Sequence, residues 1–269
     1  VKGITALAGV AVLALCFSAI SAYAEVAPNW EFGAGLELIA NYNYHESKLM
    51  RLDGTQFGAY GLARYFFRET ANLEPLSAEL FLSYVGGDIT YDGARGDTPT
   101  KGDVGNSIVN IRGLAGWTFG DITLFDIADF KVTPYSGLCY RYLVNHLEDL
   151  SGGGGYQREQ SYLYWPLGLG ASFPLPSDER FTLGCKMEFD ILLHGAHETS
   201  KGLSREFTQD SGYGFRIAPD VRFDINEQLA LTLDMFWRYW SIGESDVDEG
   251  YREPENSTSE FGFSAGVLF

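Results

Sequence analysis

This chain has too few apolar runs, too few bases and too few cysteines for several protein classes. Beyond its first two dozen residues no stretch of about 18 apolar residues occurs, so no transmembrane helix is expected there. Lys and Arg number 19 against 36 Asp and Glu, a formal charge of -17. Such a surface repels phosphate backbones and argues against nucleic acid as a partner. No Pro- or Ser-rich linker and no shift of composition divides the chain, which is expected to form one folded domain after its leader. The Gly152 to Gly155 run has no following helix pattern or Lys-Ser/Thr pair, so it reads as a loop and not a phosphate cradle. Asp246-Val-Asp-Glu-Gly250 lacks the later Glu of a calcium loop and reads as a solvated acidic loop. No cofactor, metal site or catalytic group is expected on these grounds.

Residues 1-24 have the pattern of a targeting signal. Lys2 supplies a positive start, Ile4 to Ile20 is mostly apolar, and Ala22-Tyr23-Ala24 is an A-x-A cleavage site, with the folded domain spanning 25-269. Of the three cysteines, Cys16 leaves with the signal. Cys139 and Cys185 are expected on opposite faces of non-neighbouring strands, hence as free thiols.

What is abundant is aromatic residues, at 15%, and glycine, at 32 residues, arranged in period-two alternation. Leu183, Cys185, Met187, Phe189, Ile191 and Leu193 alternate with Gly184, Lys186, Glu188, Asp190 and His194. Phe215, Ile217, Val221 and Phe223 alternate with Arg216, Asp220, Arg222 and Asp224; Leu231, Leu233, Met235 and Trp237 alternate with Thr232, Asp234 and Arg238. Weaker alternation covers about 30-44, where Trp30, Phe32, Leu36, Leu38 and Tyr42 oppose Glu31, Glu37 and Asn41, and then 55-67, 78-91, 106-119, 130-145 and 158-173. With 257-269 the count is ten strands. Long polar connections near 45-54, 92-105, 146-157, 195-211 and 243-256 alternate with short ones such as 174-178 and 226-228; the connections near 68-77 and 120-129 are longer than that rule. Pro134, Pro166 and Pro219 each remove a ladder donor inside a strand, which implies either bulges or a different register.

The expectation is an all-β fold: a closed antiparallel transmembrane β-barrel of about ten strands, apolar outside and charged inside. A soluble sandwich or barrel would reverse those faces. Mid-strand charges of both signs, from Arg64, Arg112, Arg141 and Arg158 to Glu31, Glu37, Glu79 and Glu260, each cost about 2–4 kcal/mol in hydrocarbon and so point to the lumen. Trp and Tyr near strand ends, such as Tyr42/Tyr44 and Trp237/Tyr239, suit the headgroup level. Lys186, Glu188, Asp190, Arg216, Asp220, Arg222, Asp234 and Arg238 are expected to form an ion-pair network that plugs the lumen between neighbouring strands. Removing Arg222 is then expected to leave an acid uncompensated and admit water.

Phe261, Phe263, Ala265, Val267 and Phe269 alternate to a terminal aromatic. This resembles the assembly signature of bacterial outer-membrane barrels, whose last Phe is read by the barrel assembly machinery. Pro134 to Tyr142, Arg158 to Gly168 and Glu253 to Glu260 look like segments of largely uncharacterised outer-membrane barrels. The resemblance implies fold, outer-membrane location, and contact with outer-membrane lipid and lipopolysaccharide; it implies no activity. The omptin proteases resemble the chain in strand number, with His194 or His197 and Asp190 or Glu198 as the candidates, but none of their motifs occurs. No His-Ser motif of the lipid A deacylases occurs either. Three roles follow: a structural or surface-interaction barrel with acidic outer loops, a narrow porin-like channel for small solutes, or an outer-membrane hydrolase of omptin-like architecture.

Overall fold

Alternating residues form strands along nearly all of the described chain. The computed structural model describes residues 29–47, 49–67, 76–95, 98–124, 127–150, 156–200, 205–247 and 250–269. The segment expected to be a signal, the Gly152 to Gly155 run and the connection at 68–75 lie outside them. The strands are β1 (Trp30–Glu46), β2 (Met50–Phe66), β3 (Leu76–Arg95), β4 (Thr98–Trp117), β5 (Phe119–Leu124), β6 (Ile127–His146), β7 (Gln157–Leu175), β8 (Asp178–Ser200), β9 (Arg205–Gln209), β10 (Gly212–Asn226), β11 (Leu229–Ile242) and β12 (Asn256–Leu268). β5 continues β4 against β6, and β9 leads into β10 against β8, so these segments make ten staves. Each stave pairs antiparallel with its chain neighbour, and β1 pairs with β12 from Gly33↔Leu268 to Glu46↔Asn256. The sheet is therefore closed, which satisfies every edge that lipid could not.

The outward face carries an apolar belt. Phe57, Leu80, Leu138, Leu169, Phe189, Leu231 and Leu233 are exposed there, and Leu233 keeps 55% of its surface. Rings mark its upper and lower edges, among them Trp30 and Trp117 towards the chain termini and Tyr84, Trp165 and Tyr213 towards the other end. We call the end with the termini the base and the other end the mouth. Above the belt the outward positions turn polar: Asn43, Asp53, Asp103, Glu159 and Glu198. A tilted membrane strand needs about 9–11 residues, whereas β3 and β4 have 20 each and β8 has 23. The wall thus rises well beyond the belt. Most of the connections expected near 45-54, 92-105 and 195-211 are this raised wall, not loop: Glu46 pairs with Met50, and Arg95 with Thr98. The long connection expected near 120-129 is likewise largely β5 and the start of β6.

Two bulges overturn two expected orientations. In β1, Ala40 is an extra residue opposite β12, and its carbonyl accepts a hydrogen bond from Thr55 Oγ1 at 3.1 Å. A one-residue insertion inverts the side chains that follow. Tyr42 and Tyr44 therefore point into the lumen, at 0% and 1% exposure, and not to the headgroup level, while Asn41 faces out. In β8, Leu193 is the extra residue opposite Leu163 and Tyr164, so His194 faces outward and His197 inward. The prolines cause neither bulge nor slip. The β6–β7 ladder skips the pairs beside Pro166, and the β10–β11 ladder those beside Pro219, with register kept on both sides. Cys139 is buried in the lumen and Cys185 lies on the outer face; both are free thiols.

The belt boundary has a measurable consequence. Leu233→Arg is expected to lower unfolding free energy in lipid vesicles by about 2–4 kcal/mol, whereas His194→Arg, above the belt, changes it by under about 0.5 kcal/mol. Urea titrations of the two variants with equal losses would place His194 in the belt.

Candidate functional site: the charged lumen

The inward face is charged at the base and largely apolar towards the mouth. At the base Arg64 spans two neighbours, donating to Glu31 at 2.7 Å and from Nε to Glu79 at 3.0 Å. Arg222 reaches the same Glu31 at 2.7 Å and Asp224 at 2.8 Å. At mid-height Arg112 on β4 pairs with Glu188 on β8, and Arg141 on β6 pairs with Glu260 on β12. Glu260 also accepts from Arg238 at 3.2 Å, and Arg141 donates to Asn110 at 3.1 Å. Near the mouth Arg158 on β7 is 1% exposed and donates to Glu46 and Tyr44 on β1 and to Glu253 at 2.6 Å. Gln160 donates to Tyr44 at 3.3 Å. In ring order β1 and β7 stand diametrically opposite, as do β6 and β12. Long side chains from facing walls therefore meet in the middle.

Around these pairs the mouth half is filled like a soluble core. Ile39, Leu52, Ile89, Ile108 and Leu143 are at most 2% exposed, and Tyr164 meets Trp240 edge-on at 4.9 Å between ring centres. The base half contains a cavity of about 790 Å³, lined among others by Arg64, Lys131, Lys186, Arg216, Asp220 and Phe236.

All eight residues expected in the network face the lumen: Lys186, Glu188 and Asp190 on β8, Arg216, Asp220 and Arg222 on β10, and Asp234 and Arg238 on β11. The ladder sets Glu188 opposite Arg216, but it also sets Arg216 opposite Arg238 and Asp220 opposite Asp234. Ion pairs form with other strands: Glu188 with Arg112, Arg238 with Glu260, and Arg222 with Glu31. Glu46 and Glu253 are buried charges that alternation did not reveal. Glu46 follows the β1 bulge, and Glu253 lies in the β11–β12 connection, where no period applies. The four protease candidates do not converge. His194 faces out near Asp210 at 3.7 Å, Glu198 is exposed, His197 is held by Glu253 at 2.8 Å, and Asp190 lies inside beside Glu188. Among the described residues no group of three or more His, Cys, Asp or Glu is placed to hold a metal ion. Phe261 and Phe263 face outward in the belt. Phe269 exchanges two backbone hydrogen bonds with Phe32, at 2.8 and 2.9 Å, and closes the base of the β1–β12 seam.

The chain matches no family model and no curated protein. Among solved structures it is similar to the outer membrane protease OmpT from Escherichia coli, with 9% identity, a TM-score of 0.57, and coverage of 91% of this chain and 97% of that one. The fold is that of a bacterial outer-membrane β-barrel. Weaker likeness extends to the transport unit of the autotransporter AIDA-I from Escherichia coli, at 9% identity, TM-score 0.46 and 91% coverage of both chains. It extends also to a major outer membrane protein from Thermus thermophilus, at 14% identity, TM-score 0.43, and coverage of 89% of this chain and 99% of that one. Identities this low speak for the fold alone.

The β11–β12 connection of this outer-membrane-type barrel sends Glu253 into the mouth, where it accepts from Arg158. Ser245 N donates to Glu253 O at 2.9 Å, and Glu253 N to Ser245 Oγ at 2.8 Å. Burial raises the Glu253 carboxyl, but the Arg158 guanidinium, with the His197 ring 2.8 Å away, outweighs it and holds the pKa at about 2. An unfolded glutamate titrates near ~4.3. A depressed folded pKa gives stability that is complete above the unfolded value and is lost as pH falls through the folded one. Corrected hydrogen-exchange protection of the Glu253 amide is therefore expected to be constant from pH 7 to about 5 and to fall between about 4 and 2. Glu253→Gln should remove that step, and its persistence in the variant would assign it to another group.

Proposed function

We propose that this barrel lies in the bacterial outer membrane, delivered through a cleaved signal peptide, and acts there as a closed structural or surface-interaction barrel. The base faces the periplasm and the acidic, raised mouth faces outward. The observation that carries the reading is the contact between opposite walls: Arg158 and Gln160 on β7 hydrogen-bond Tyr44 on β1 across the full width of the lumen. Ten staves make a barrel only slightly wider than the eight-stranded kind that side chains can fill. Here buried Tyr, Ile and Leu side chains pack the mouth half around the ion pairs, which supports a closed lumen. Outer-membrane lipid and lipopolysaccharide would surround the belt, and the Phe261, Phe263 and Phe269 strand would present the assembly signal. The polar mouth wall, with Asp53, Asp103, Glu159 and Glu198 outward, would meet a surface ligand or the cations that bridge lipopolysaccharide.

Planar-bilayer conductance tests this. Wild-type protein is expected to be electrically silent. Arg222 lies below the seal, among Glu31 and Asp224, so Arg222→Ala is expected to stay silent rather than leak. Tyr42 and Tyr162, by contrast, are buried at the seal, with side chains from opposite walls. Truncating both to Ala is expected to give discrete openings. A large, steady wild-type conductance would overturn the closed reading in favour of a porin-like channel.

A further inference from the structure

The cavity at the base is built differently from the rest of the lumen. Its lining has basic and acidic residues in nearly equal number, in a chain with 19 bases against 36 acids. Four of its arginines, Arg64, Arg112, Arg222 and Arg238, are committed to ion pairs. Lys131, Lys186 and Arg216 are not. Among the described residues none of the three side chains has an acidic oxygen within 4.0 Å or a hydrogen-bond partner; Arg216 lies over the Phe236 ring, 5.7 Å from its centre, with Nε buried and unbonded. Glu188 stands opposite Arg216 in the ladder but is drawn to Arg112. Asp220 and Glu79 influence Lys186 only from beyond ion-pair distance.

These three cations line the same cavity. Lys186 sits opposite Ala218, and Arg216 is the next inward residue of β10, which makes Lys186 and Arg216 diagonal neighbours about 7–8 Å apart. Lys131 stands two staves away on β6, opposite Ser172 of β7. Between them is Gly170, opposite both Thr133 and Lys186. A Cβ there would meet Thr133 and the stem of Lys186 at ordinary van der Waals distance, 3.6 to 3.8 Å, so the backbone beside Lys186 is bare of a side chain of its own. Leu62 and Phe81, paired on β2 and β3, supply apolar surface in the same cavity. A buried guanidinium nitrogen without a partner carries a desolvation cost that an incoming acceptor removes. A pocket of this size, apolar on one side with a few convergent polar groups, suits a small molecule.

The geometry points to a binding site for a small organic oxyanion, a phosphate or a carboxylate on an apolar body, held by Lys186, Arg216 and Lys131 over Gly170. Because the mouth is sealed, the ligand enters and leaves through the base; that it comes from the periplasm rests on the orientation proposed above. The barrel would then be a receptor on its inner side and a closed wall on its outer side. Binding and conductance are separate readouts, so failure of one leaves the other intact.

Isothermal titration of the full barrel in dodecyl maltoside tests the site, with phenyl phosphate and benzoate as probes and neutral benzamide as control. Saturable binding of at least one anion, one per barrel, is expected, with none of benzamide. Phenyl phosphate alone would assign the phosphate class, benzoate alone the carboxylate class. Lys186→Met and Lys131→Met are each expected to weaken binding about tenfold, the equivalent of one charge-assisted contact. Lys101→Met, on the outer wall of the mouth, should leave it unchanged. Circular dichroism and the heat-dependent gel shift of each variant report that the barrel has folded. No saturable binding of either anion, equal binding of benzamide, or affinity untouched in folded Lys186→Met and Lys131→Met would overturn the proposal.

Discussion

The closing hydrogen bonds between β1 and β12 are the constraint on which the rest depends. Backbone donors and acceptors in hydrocarbon find no water, so a sheet there must have no edge. Once ten staves close, the radius is set, and with it the reach a side chain needs to touch the opposite wall. Tyr44, Arg141 and Arg158 are long enough. That is why the ion pairs at mid-height and at the mouth run across the ring rather than only along it.

Side-chain volume then divides the lumen. From the bulge in β1 upward the inward positions are large, including Tyr42, Tyr44, Leu52, Ile89 and Tyr162, and they pack to the axis. Towards the base many are small: Gly33, Gly35, Gly116, Gly170 and Ser172. Same-sized rings of backbone thus enclose a solid core at one end and a cavity at the other. Arg158 shows how tightly the solid end is specified. A guanidinium at 1% exposure is tolerable only because Glu46, Glu253 and Tyr44 all accept from it. Glu253 thereby ties the β11–β12 connection to that core.

Above the belt the wall is polar outside and closely packed inside, with buried ion pairs set among apolar side chains as in a soluble barrel. Below that level it is apolar outside and charged inside. The two patterns meet near the bulges at Ala40 and Leu193, where an extra residue inverts the phase of a stave. One chain therefore meets hydrocarbon, water and a packed interior in turn.

Period-two alternation was enough to establish the strand class, the number of staves, the closed architecture, and the inward direction of Lys186, Glu188, Arg216 and Arg238. A charge in lipid is so costly that the outward face is legible residue by residue. The terminal Phe pattern added the likeness to outer-membrane barrels. Phase after a bulge was not legible, because one inserted residue leaves no mark in the pattern except its inversion; Tyr42 and His194 were misread for that reason. The partners of the lumen charges were hidden too. Alternation says which residues share a face, whereas Arg158 with Glu46, Arg141 with Glu260 and Arg112 with Glu188 are brought together by curvature and closure, which act between staves far apart in sequence. The three unpaired cations at the base follow from the same cause: which charges remain without a partner is decided only when the ring closes and the other pairs have formed.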